Sequence, residues 1–155
     1  MTYSGTYKIK HKSKYKGDVS NVVYRSMWEK YVFMWLDANP DVKYWSSEET
    51  IIPYFYEYDK KYHKYYVDIK VTYKDGKTSI IEIKPEYQTK PPTGARKTKK
   101  YIREGLEYVK NMNKWQAASD YAKDRNWKFE IWTERQLTAK GILKKRIKPL
   151  KKSYK

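Results

Sequence analysis

The side chains best suited to chemistry in this sequence are two carboxylates, Asp68 and Glu82, and the ammonium group of Lys84. Two carboxylates that meet can bind Mg²⁺, which prefers one or two carboxylates together with water and substrate phosphate. A lysine held beside them supplies a compact positive charge for a phosphate oxygen. The chemistry therefore depends on whether the fold brings these three side chains to one place.

The strands that carry these residues are predicted to form a hairpin, and two registers of strand pairing are possible. Residues 65–73 alternate between apolar and polar, and residues 78–84 return after the turn pair Asp75-Gly76. A two-residue turn would place Glu82 opposite Ile69, among buried aliphatic side chains. A three-residue loop with Gly76 as a left-handed bulge gives the pairs Ile69–Ile81, Val67–Ile83 and Asp68–Glu82. Because the hydrophobic pattern sets the register, we expect the second arrangement, with carboxylate Cβ atoms about 4.5–5.5 Å apart.

Glu29 is a third candidate carboxylate, on a helix predicted over residues 21–38. The apolar residues of that segment recur at spacings of three and four and cover most of the helix circumference, and Glu29 lies at the margin of the buried face. A carboxylate there needs a partner to offset its desolvation. The partner is either a metal-linked network or Arg25, one turn earlier. The alternative for Asp68, Glu82 and Lys84 is that they are solvated residues on an exposed sheet face, balanced by Lys70.

The charge of the chain favours a polyanionic partner. Its 155 residues include 35 Lys and Arg against 18 Asp and Glu, a net charge of +17. Neutralised phosphates release condensed counterions, which favours binding to nucleic acid; a merely solubilising surface is the alternative. The absence of cysteine excludes disulfides, a thiolate nucleophile and Cys-based zinc sites. The longest apolar run, 31–36, is too short to cross a bilayer, so we expect no membrane partner, and no signal peptide is visible.

The order of the predicted elements indicates a single α/β domain with a mixed central β-sheet flanked by helices. We expect this domain over residues 21–143, between a basic N-terminal arm (1–20) and a basic C-terminal tail (144–155). Both ends either contact phosphate or are solvated. The further predicted elements are a β-rich segment at 51–58, a proline-rich loop at 85–97, helices at 98–111 and from Asn113, a strand around 127–131 and a short helix with the capping box Thr133/Gln136.

Glu29, Asp68, Glu82 and Lys84 together resemble the signature of the PD-(D/E)XK nuclease superfamily, and longer motifs resemble the head completion nucleases of contractile-tailed phages. The resemblance covers residues 3–143. One departure is Val67, which stands where the proline that names the superfamily usually precedes the aspartate. The motifs are Tyr24-Arg25-Ser26, Trp28-Glu29-Lys30, Ile52-Pro53-Tyr54-Phe55, Ile81-Glu82-Ile83-Lys84-Pro85, Gln88-Thr89, Lys114-Trp115 and Thr133-Glu134.

The resemblance implies a restriction-endonuclease-like core and a Mg²⁺-dependent deoxyribonuclease, with Mn²⁺ able to substitute. It implies an endonuclease and leaves an additional exonuclease activity open. Asp68, Glu82 and the Ile83 carbonyl would bind the metal, and Glu29 would hold a second metal or a water. Lys84 would orient the attacking water or stabilise charge on the phosphate. The expected DNA contacts are Arg25, Lys70, Gln88 and Lys90, with a plain loop role as the alternative for Gln88.

The same resemblance implies the biological setting. The substrate would be double-stranded DNA in packaged heads, the protein partners would be phage portal or neck proteins, and the place would be the host cytoplasm during assembly or the virion. Two rival functions stay open. One is a non-catalytic module that binds single strands through tyrosine stacking and lysines. The other is a structural head-tail adaptor whose acidic pair has no catalytic role.

Overall fold

The computed structural model of the chain describes residues 3–94 and 98–144. The strands within them are β1 Gly5–Thr6, β2 Val23–Tyr24, β3 Val42–Ser47, β4 Ile51–Tyr56, β5 Lys61–Tyr66, β6 Ile69–Tyr73, β7 Thr78–Ile83 and β8 Lys128–Trp132. The helices are α1 Met27–Ala38, α2 Lys99–Asp124 and α3 Glu134–Ala139, with short 3-10 helices at Lys12–Lys14 and Glu86–Thr89. The predicted class, a mixed α/β fold around a central sheet, is confirmed.

The central sheet has the strand order β3-β6-β7-β8. β6 is antiparallel to both β3 and β7, whereas β8 runs parallel to β7. β4 and β5 form a separate antiparallel hairpin, and β1 pairs with β2. Since side chains alternate along a strand, Ile80 and Ile81 of β7 enter different cores on opposite faces of the sheet. Both faces are therefore covered.

The first core lies between the sheet and α1. Val32, Phe33 and Leu36 of α1 are fully buried there, and the Phe33 ring lies 5.4 Å from that of Trp45. The helix begins at Met27 rather than near residue 21, because Val23–Tyr24 pair with β1 and the Ser26 hydroxyl accepts the Glu29 N–H as the N-cap. The predicted helix is thus correct in place and too long at its N-terminus.

The second core lies between the opposite face of the sheet, α2 and the β4–β5 hairpin. Trp115 and Ala118 of α2 pack there with Ile80 and Tyr65. The two helices predicted for this region are a single continuous helix. Asn113, predicted to open the second one, lies inside α2, where its side-chain oxygen accepts the Glu57 N–H at 3.1 Å instead of capping a helix.

The strand predicted over residues 65–73 is divided between two sheets. β5 ends at Tyr66 and β6 begins at Ile69, and strand β3, which was not predicted, borders β6. The Val67 N–H donates to the Thr50 carbonyl at 3.0 Å, so the expected pair Val67–Ile83 is not formed. A proline at position 67 would lack this donor. The break sends the chain from the hairpin into the central sheet immediately before Asp68.

The predicted basic N-terminal arm is attached to the first core, although most of residues 3–20 lie outside regular helices and strands. Tyr7, Ile9 and Tyr15 are buried. The Asp37 carboxylate in α1 accepts the Tyr7 hydroxyl at 2.9 Å and two main-chain N–H groups, from Lys10 at 2.8 Å and His11 at 3.0 Å. This buried carboxylate fixes the N-terminal segment across the end of the helix.

The C-terminal elements follow the sequence pattern closely. Thr133 and Gln136 form the predicted capping box of α3, with the Gln136 side chain accepting the Thr133 N–H at 2.9 Å. The predicted basic tail from residue 145 onward lies outside the described residues. Among the residues with a described structure, no helix combines the length and the apolar character needed to cross a membrane.

We predict that Asp37→Ala lowers the free energy of unfolding by about 3 kcal/mol or more, because it leaves several donors without an acceptor in a buried place. Urea denaturation followed by circular dichroism measures the change. Asp37→Asn, which keeps one acceptor oxygen, should lose less than Asp37→Ala. Asp41→Ala, an exposed aspartate close by, is the control and should change stability by less than about 0.5 kcal/mol. Equal losses in all three variants would contradict the assignment.

Candidate active site

Asp68 lies where the β6–β7 ladder ends. Ile69 pairs with Ile81, as the three-residue loop predicts, and Gly76 has the left-handed backbone conformation expected of the bulge, with φ of 89°. One residue further the ladder stops, and the Asp68 side chain takes its place: Oδ2 accepts the Ile83 N–H at 2.8 Å. The predicted register is therefore confirmed up to Ile69–Ile81, and Asp68 is anchored to the strand that carries Glu82.

Glu82 projects toward α2, and its side chain is buried. Its residue exposure is 6%, and its Oε2 accepts the indole N–H of Trp115 at 2.9 Å. A single N–H donor satisfies only part of a carboxylate's hydrogen-bonding capacity, so a buried Glu82 has further capacity for a cation.

The two carboxyl groups act on each other directly. Burial raises the pKa of Asp68 well above its ordinary value, and the charge of Glu82, a hydrogen bond with Glu82 and the charge of Glu29 raise it further. The bond from the Ile83 N–H acts in the opposite direction. Asp68 and Glu82 thus form a close acidic pair in which a negative charge on one disfavours a negative charge on the other.

Lys84 follows on the same strand, and its main-chain N–H donates to the Trp132 carbonyl at 3.1 Å, which continues the β7–β8 pairing. Its side chain lines a cavity of about 300 Å³ between α2 and the loop after β7. Gln88, Lys90 and the buried Asn111 line the same cavity. Lys84, two residues after Glu82, therefore lies at the wall of an open cleft.

Lys114 is a second lysine beside the acidic pair. Burial lowers its pKa, Glu82 acts to raise it, and Lys84 lowers it. Its Nζ lies 5.5 Å from the centre of the Tyr65 ring. α2 thus places a half-buried ammonium group and the Trp115 indole on adjacent residues, and both interact with Glu82.

Glu29 borders the site from α1. Its side chain is buried, and its pKa is raised by burial and then by the charge of Glu48, while the Ser26 hydroxyl bond acts to lower it. Arg25 binds both carboxylate oxygens of Glu48, at 2.8 and 3.1 Å. The ion-pair partner of Arg25 is therefore Glu48, although Arg25 also interacts electrostatically with Glu29 and Asp68.

The four residues predicted to contact DNA are not all at one place. Gln88 and Lys90 line the cleft that contains Lys84, and the Gln88 amide donates to the Tyr87 hydroxyl at 2.8 Å. Arg25 lies on the side of Glu29 and Glu48. Lys70 points away: its Nζ lies 4.4 Å from the ring of Trp127, which precedes β8 at the end of the sheet opposite to Lys84.

The donor set fits a hard divalent cation. Asp68 and Glu82 offer carboxylate oxygens, and the Ile83 carbonyl leaves the strand on the same edge as the N–H that binds Asp68, because both groups of a residue face the same neighbour. Residues 3–94 and 98–144 contain no group of three or more His, Cys, Asp or Glu side chains arranged to hold a metal ion. Binding would therefore depend on this pair, the carbonyl, water and phosphate.

Some residues at the site were not among the site residues predicted from the sequence. Lys114, Trp115 and Glu48 are each separated from Asp68 by other elements of the chain. Lys114 and Trp115 are adjacent on α2 and therefore point about 100° apart, so no common helix face marked them together. Glu48 lies at a left-handed backbone position, with φ of 57°, at the end of a strand that was not predicted. A helical wheel of one continuous α2 would have shown that Asn111, Trp115, Ala118 and Ala122 form one buried stripe.

The mixed α/β fold is that of an endonuclease domain, because residues 39–134 match the family of TnsA-like endonuclease N-terminal domains, to which the chain belongs. The matched segment contains Asp68, Glu82 and Lys84. The chain is also 42% identical over 148 residues to the head completion nuclease of Enterobacteria phage T4, covering 92% of this chain and 98% of that protein. The resemblance read from the sequence motifs is confirmed.

We predict that Trp115→Phe lowers the free energy of unfolding by about 1–3 kcal/mol beyond the effect of lost volume, because it removes the donor to buried Glu82. Urea denaturation of the single variants, of Glu82→Gln and of the double variant measures the coupling between the two residues. Trp132→Phe is a matched control, since the Trp132 indole N–H is buried without a hydrogen-bond partner. Coupling with Glu82→Gln as large for Trp132→Phe as for Trp115→Phe would contradict the prediction.

We predict that Asp68→Asn raises the free energy of unfolding at neutral pH in the presence of EDTA, as measured by urea denaturation. The asparagine can still accept the Ile83 N–H but removes a buried charge. Because the folded-state pKa of Asp68 is raised, the stability that its carboxyl group contributes is complete below the ordinary aspartate pKa and is lost as the pH rises through the raised value. The advantage of Asp68→Asn should therefore vanish in acid; a variant less stable than the parent at neutral pH would contradict this.

Proposed function

We propose that this chain is a Mg²⁺-dependent deoxyribonuclease that acts in phage head completion. The observation that carries the proposal is the close acidic pair Asp68–Glu82, of which Glu82 is buried and Asp68 has a raised pKa, followed by Lys84 in a domain of an endonuclease family. A pair of this kind costs stability unless a cation or a proton offsets it. Such a cost is typical of a site kept for binding or catalysis.

The proposed roles follow from what each group can reach. Asp68 and Glu82 hold the cation, with one oxygen of each fixed by the Ile83 N–H and the Trp115 indole. When bound, Mg²⁺ lowers the pKa of water and neutralises charge on the phosphoryl oxygens. Lys84 orients the attacking water or holds a phosphate oxygen as a point charge.

Lys114 and Glu29 complete the proposed site on its two sides. The positive charge of Lys114 limits the repulsion around Glu82 and attracts phosphate. Glu29 is assigned to a second cation or to an ordered water, since its buried carboxylate influences Asp68. The hydrogen bond from the Trp115 indole fixes the orientation of the Glu82 carboxylate, so that its other oxygen is held in place for a cation.

The proposed substrate is double-stranded DNA. The net charge of +17 supports binding to a polyanion, and Gln88 and Lys90 lie in the cleft beside Lys84, where a phosphate backbone could be held. Arg25 is assigned to the same backbone on the other side of the acidic pair. Reaching a phosphate would require Arg25 to exchange its exposed ion pair with Glu48, which costs little in water.

The biological role rests on the relative. The similar protein of phage T4 is described as a head completion nuclease, and the two chains align over almost their full lengths. We extend this role to the present chain and propose portal or neck proteins as its partners. Its proposed place is the cytoplasm of the host during assembly or the virion itself.

We predict that the purified protein cleaves DNA with Mg²⁺ or Mn²⁺ and that EDTA abolishes the cleavage. Glu82→Ala and Lys84→Ala should each lower the rate constant by about 100-fold or more, since they remove a cation ligand and a group that stabilises charge in the transition state. Gel assays with linear and circular DNA under single-turnover conditions measure the rate. Cleavage of the circular form would establish an endonuclease.

Lys77→Ala is the control for the loss of a positive charge, because its ammonium group is exposed in the β6–β7 turn, away from the acidic pair. It should retain the parent's rate within about threefold. Circular dichroism of each variant checks that the fold is intact. Cleavage by Glu82→Ala and Lys84→Ala at the parent's rate, or no cleavage by the parent in any divalent cation, would overturn the nuclease proposal in favour of a binding or adaptor protein.

A further inference from the structure

The β4–β5 hairpin has one face that the fold does not use. Its inner face, which includes Tyr54 and Tyr65, packs in the second core. The outer face consists of three cross-strand pairs, which we name the outer strip: Ile51–Tyr66, Pro53–Lys64 and Phe55–Tyr62. All six of these residues are exposed.

The large apolar side chains of the outer strip are unusually open to solvent. The exposed fractions are 76% for Tyr62, 48% for Tyr66, 45% for Ile51 and 42% for Phe55. Single exposed aromatic residues are common, and the Phe55–Tyr62 contact, with ring centres 5.3 Å apart, gives the hairpin some stability. Three neighbouring pairs with rings along the whole hairpin form a contiguous apolar surface, which is typical of a binding site.

The pattern along β5 indicates the chemistry of the ligand. Tyr62, Lys64 and Tyr66 alternate on the outer strip, so that an ammonium group lies between two phenol rings. At about 3.3 Å per residue, successive members lie roughly 6.6 Å apart along the strand. This alternation suits a single-stranded nucleic acid, whose bases stack on aromatic rings while lysine binds the phosphate between them.

A nucleic acid fits the outer strip better than an apolar protein surface does. Lys64 lies in the middle pair, where a tightly docked apolar partner would have to desolvate its charge. The outer strip contains no acidic residue that could neutralise Lys64 inside such an interface. A phosphate would do so, in keeping with the net charge of +17.

The outer strip leads to the acidic pair. Tyr66 is the last residue of β5, and Asp68 follows two residues later. The opposite strand begins at Ile51, three residues after Glu48, whose N–H lies within 3.3 Å of the Asp68 carbonyl. A strand of DNA bound along the outer strip would therefore run from the tip of the hairpin to the edge of the candidate active site.

We propose that the outer strip binds single-stranded DNA, with Tyr62 and Tyr66 as stacking platforms and Lys64 as the phosphate contact between them. This inference rests on the proposed nuclease function. The outer strip would guide an unpaired DNA segment that is continuous with the DNA strand bound at Asp68 and Glu82.

The test is binding of a fluorescein-labelled oligothymidine of about 20 nucleotides, long enough for an aromatic binding surface. Fluorescence anisotropy is measured in EDTA, so that no cleavage takes place. Tyr62→Ala/Tyr66→Ala should weaken binding at least tenfold, since it removes both rings on which bases would stack. Tyr31→Ala, which removes a partly exposed tyrosine from α1, should bind within twofold of the parent.

Salt dependence tests the assignment of Lys64. Lys64→Gln should lower the slope of log affinity against log salt concentration by about 0.7, the value expected for one phosphate contact on a single strand. Lys123→Gln, an exposed lysine in the last turn of α2, is the matched control and should leave the slope unchanged. Photocrosslinking with an oligonucleotide that contains 5-iodouracil should label Tyr62 or Tyr66.

Affinity of Tyr62→Ala/Tyr66→Ala within twofold of the parent, with crosslinks elsewhere, would overturn the proposal and favour a protein contact for the outer strip. These outcomes are separate from those of the cleavage assay. If the parent fails to cut DNA but loses oligonucleotide affinity in the double variant, the outer strip stands and the nuclease proposal fails. If the parent cuts DNA but the double variant binds normally, only the outer strip proposal fails.

Discussion

The hydrogen bond from the Ile83 N–H to the Asp68 carboxylate is the interaction on which the rest of the site depends. The β6–β7 ladder stops at Ile69–Ile81, and the next bond is made by a side chain instead of a main-chain carbonyl. This substitution lets the chain pass from the β4–β5 hairpin into the central sheet at Val67. It also holds Asp68 beside Glu82 without a regular strand on that side, so the carboxylates lie at an open end of the sheet.

Keeping two acidic groups there has a cost that other parts of the fold offset only in part. Burial and the charge of Glu82 raise the pKa of Asp68. On α2, the Trp115 indole donates a hydrogen bond to Glu82, and the half-buried Lys114 supplies a positive charge. On the α1 side, Glu29 and Glu48 add negative charge that Arg25 partly compensates. A divalent cation would offset what is left. The arrangement is consistent with a site whose stability is low when empty and higher when a cation is bound.

The errors made from the sequence have identifiable physical causes. Alternation over residues 65–73 is uninterrupted, and it gives no sign that Val67 bonds to Thr50 and that the strand changes sheets there. Asn113 resembles a helix cap because its amide can accept a main-chain N–H, and it does accept one, from Glu57 in another element. The lysine-rich N-terminal segment resembles a solvated end, yet Asp37 holds it through distant bonds. In each case, a residue far along the chain decided between two local options.

The sequence by itself determined the hairpin register up to Ile69–Ile81, the α/β class and the capping box of α3, because hydrophobic alternation, glycine geometry and capping act within a few residues. The sequence motifs also revealed the resemblance to the nuclease family. Only the tertiary structure decided that Trp115 bonds to Glu82 and that Arg25 pairs with Glu48. It also decided that Lys70 turns toward Trp127 and that one face of β4–β5 stays uncovered. These contacts join residues that are separate in sequence, and they follow from how the layers pack rather than from any local pattern.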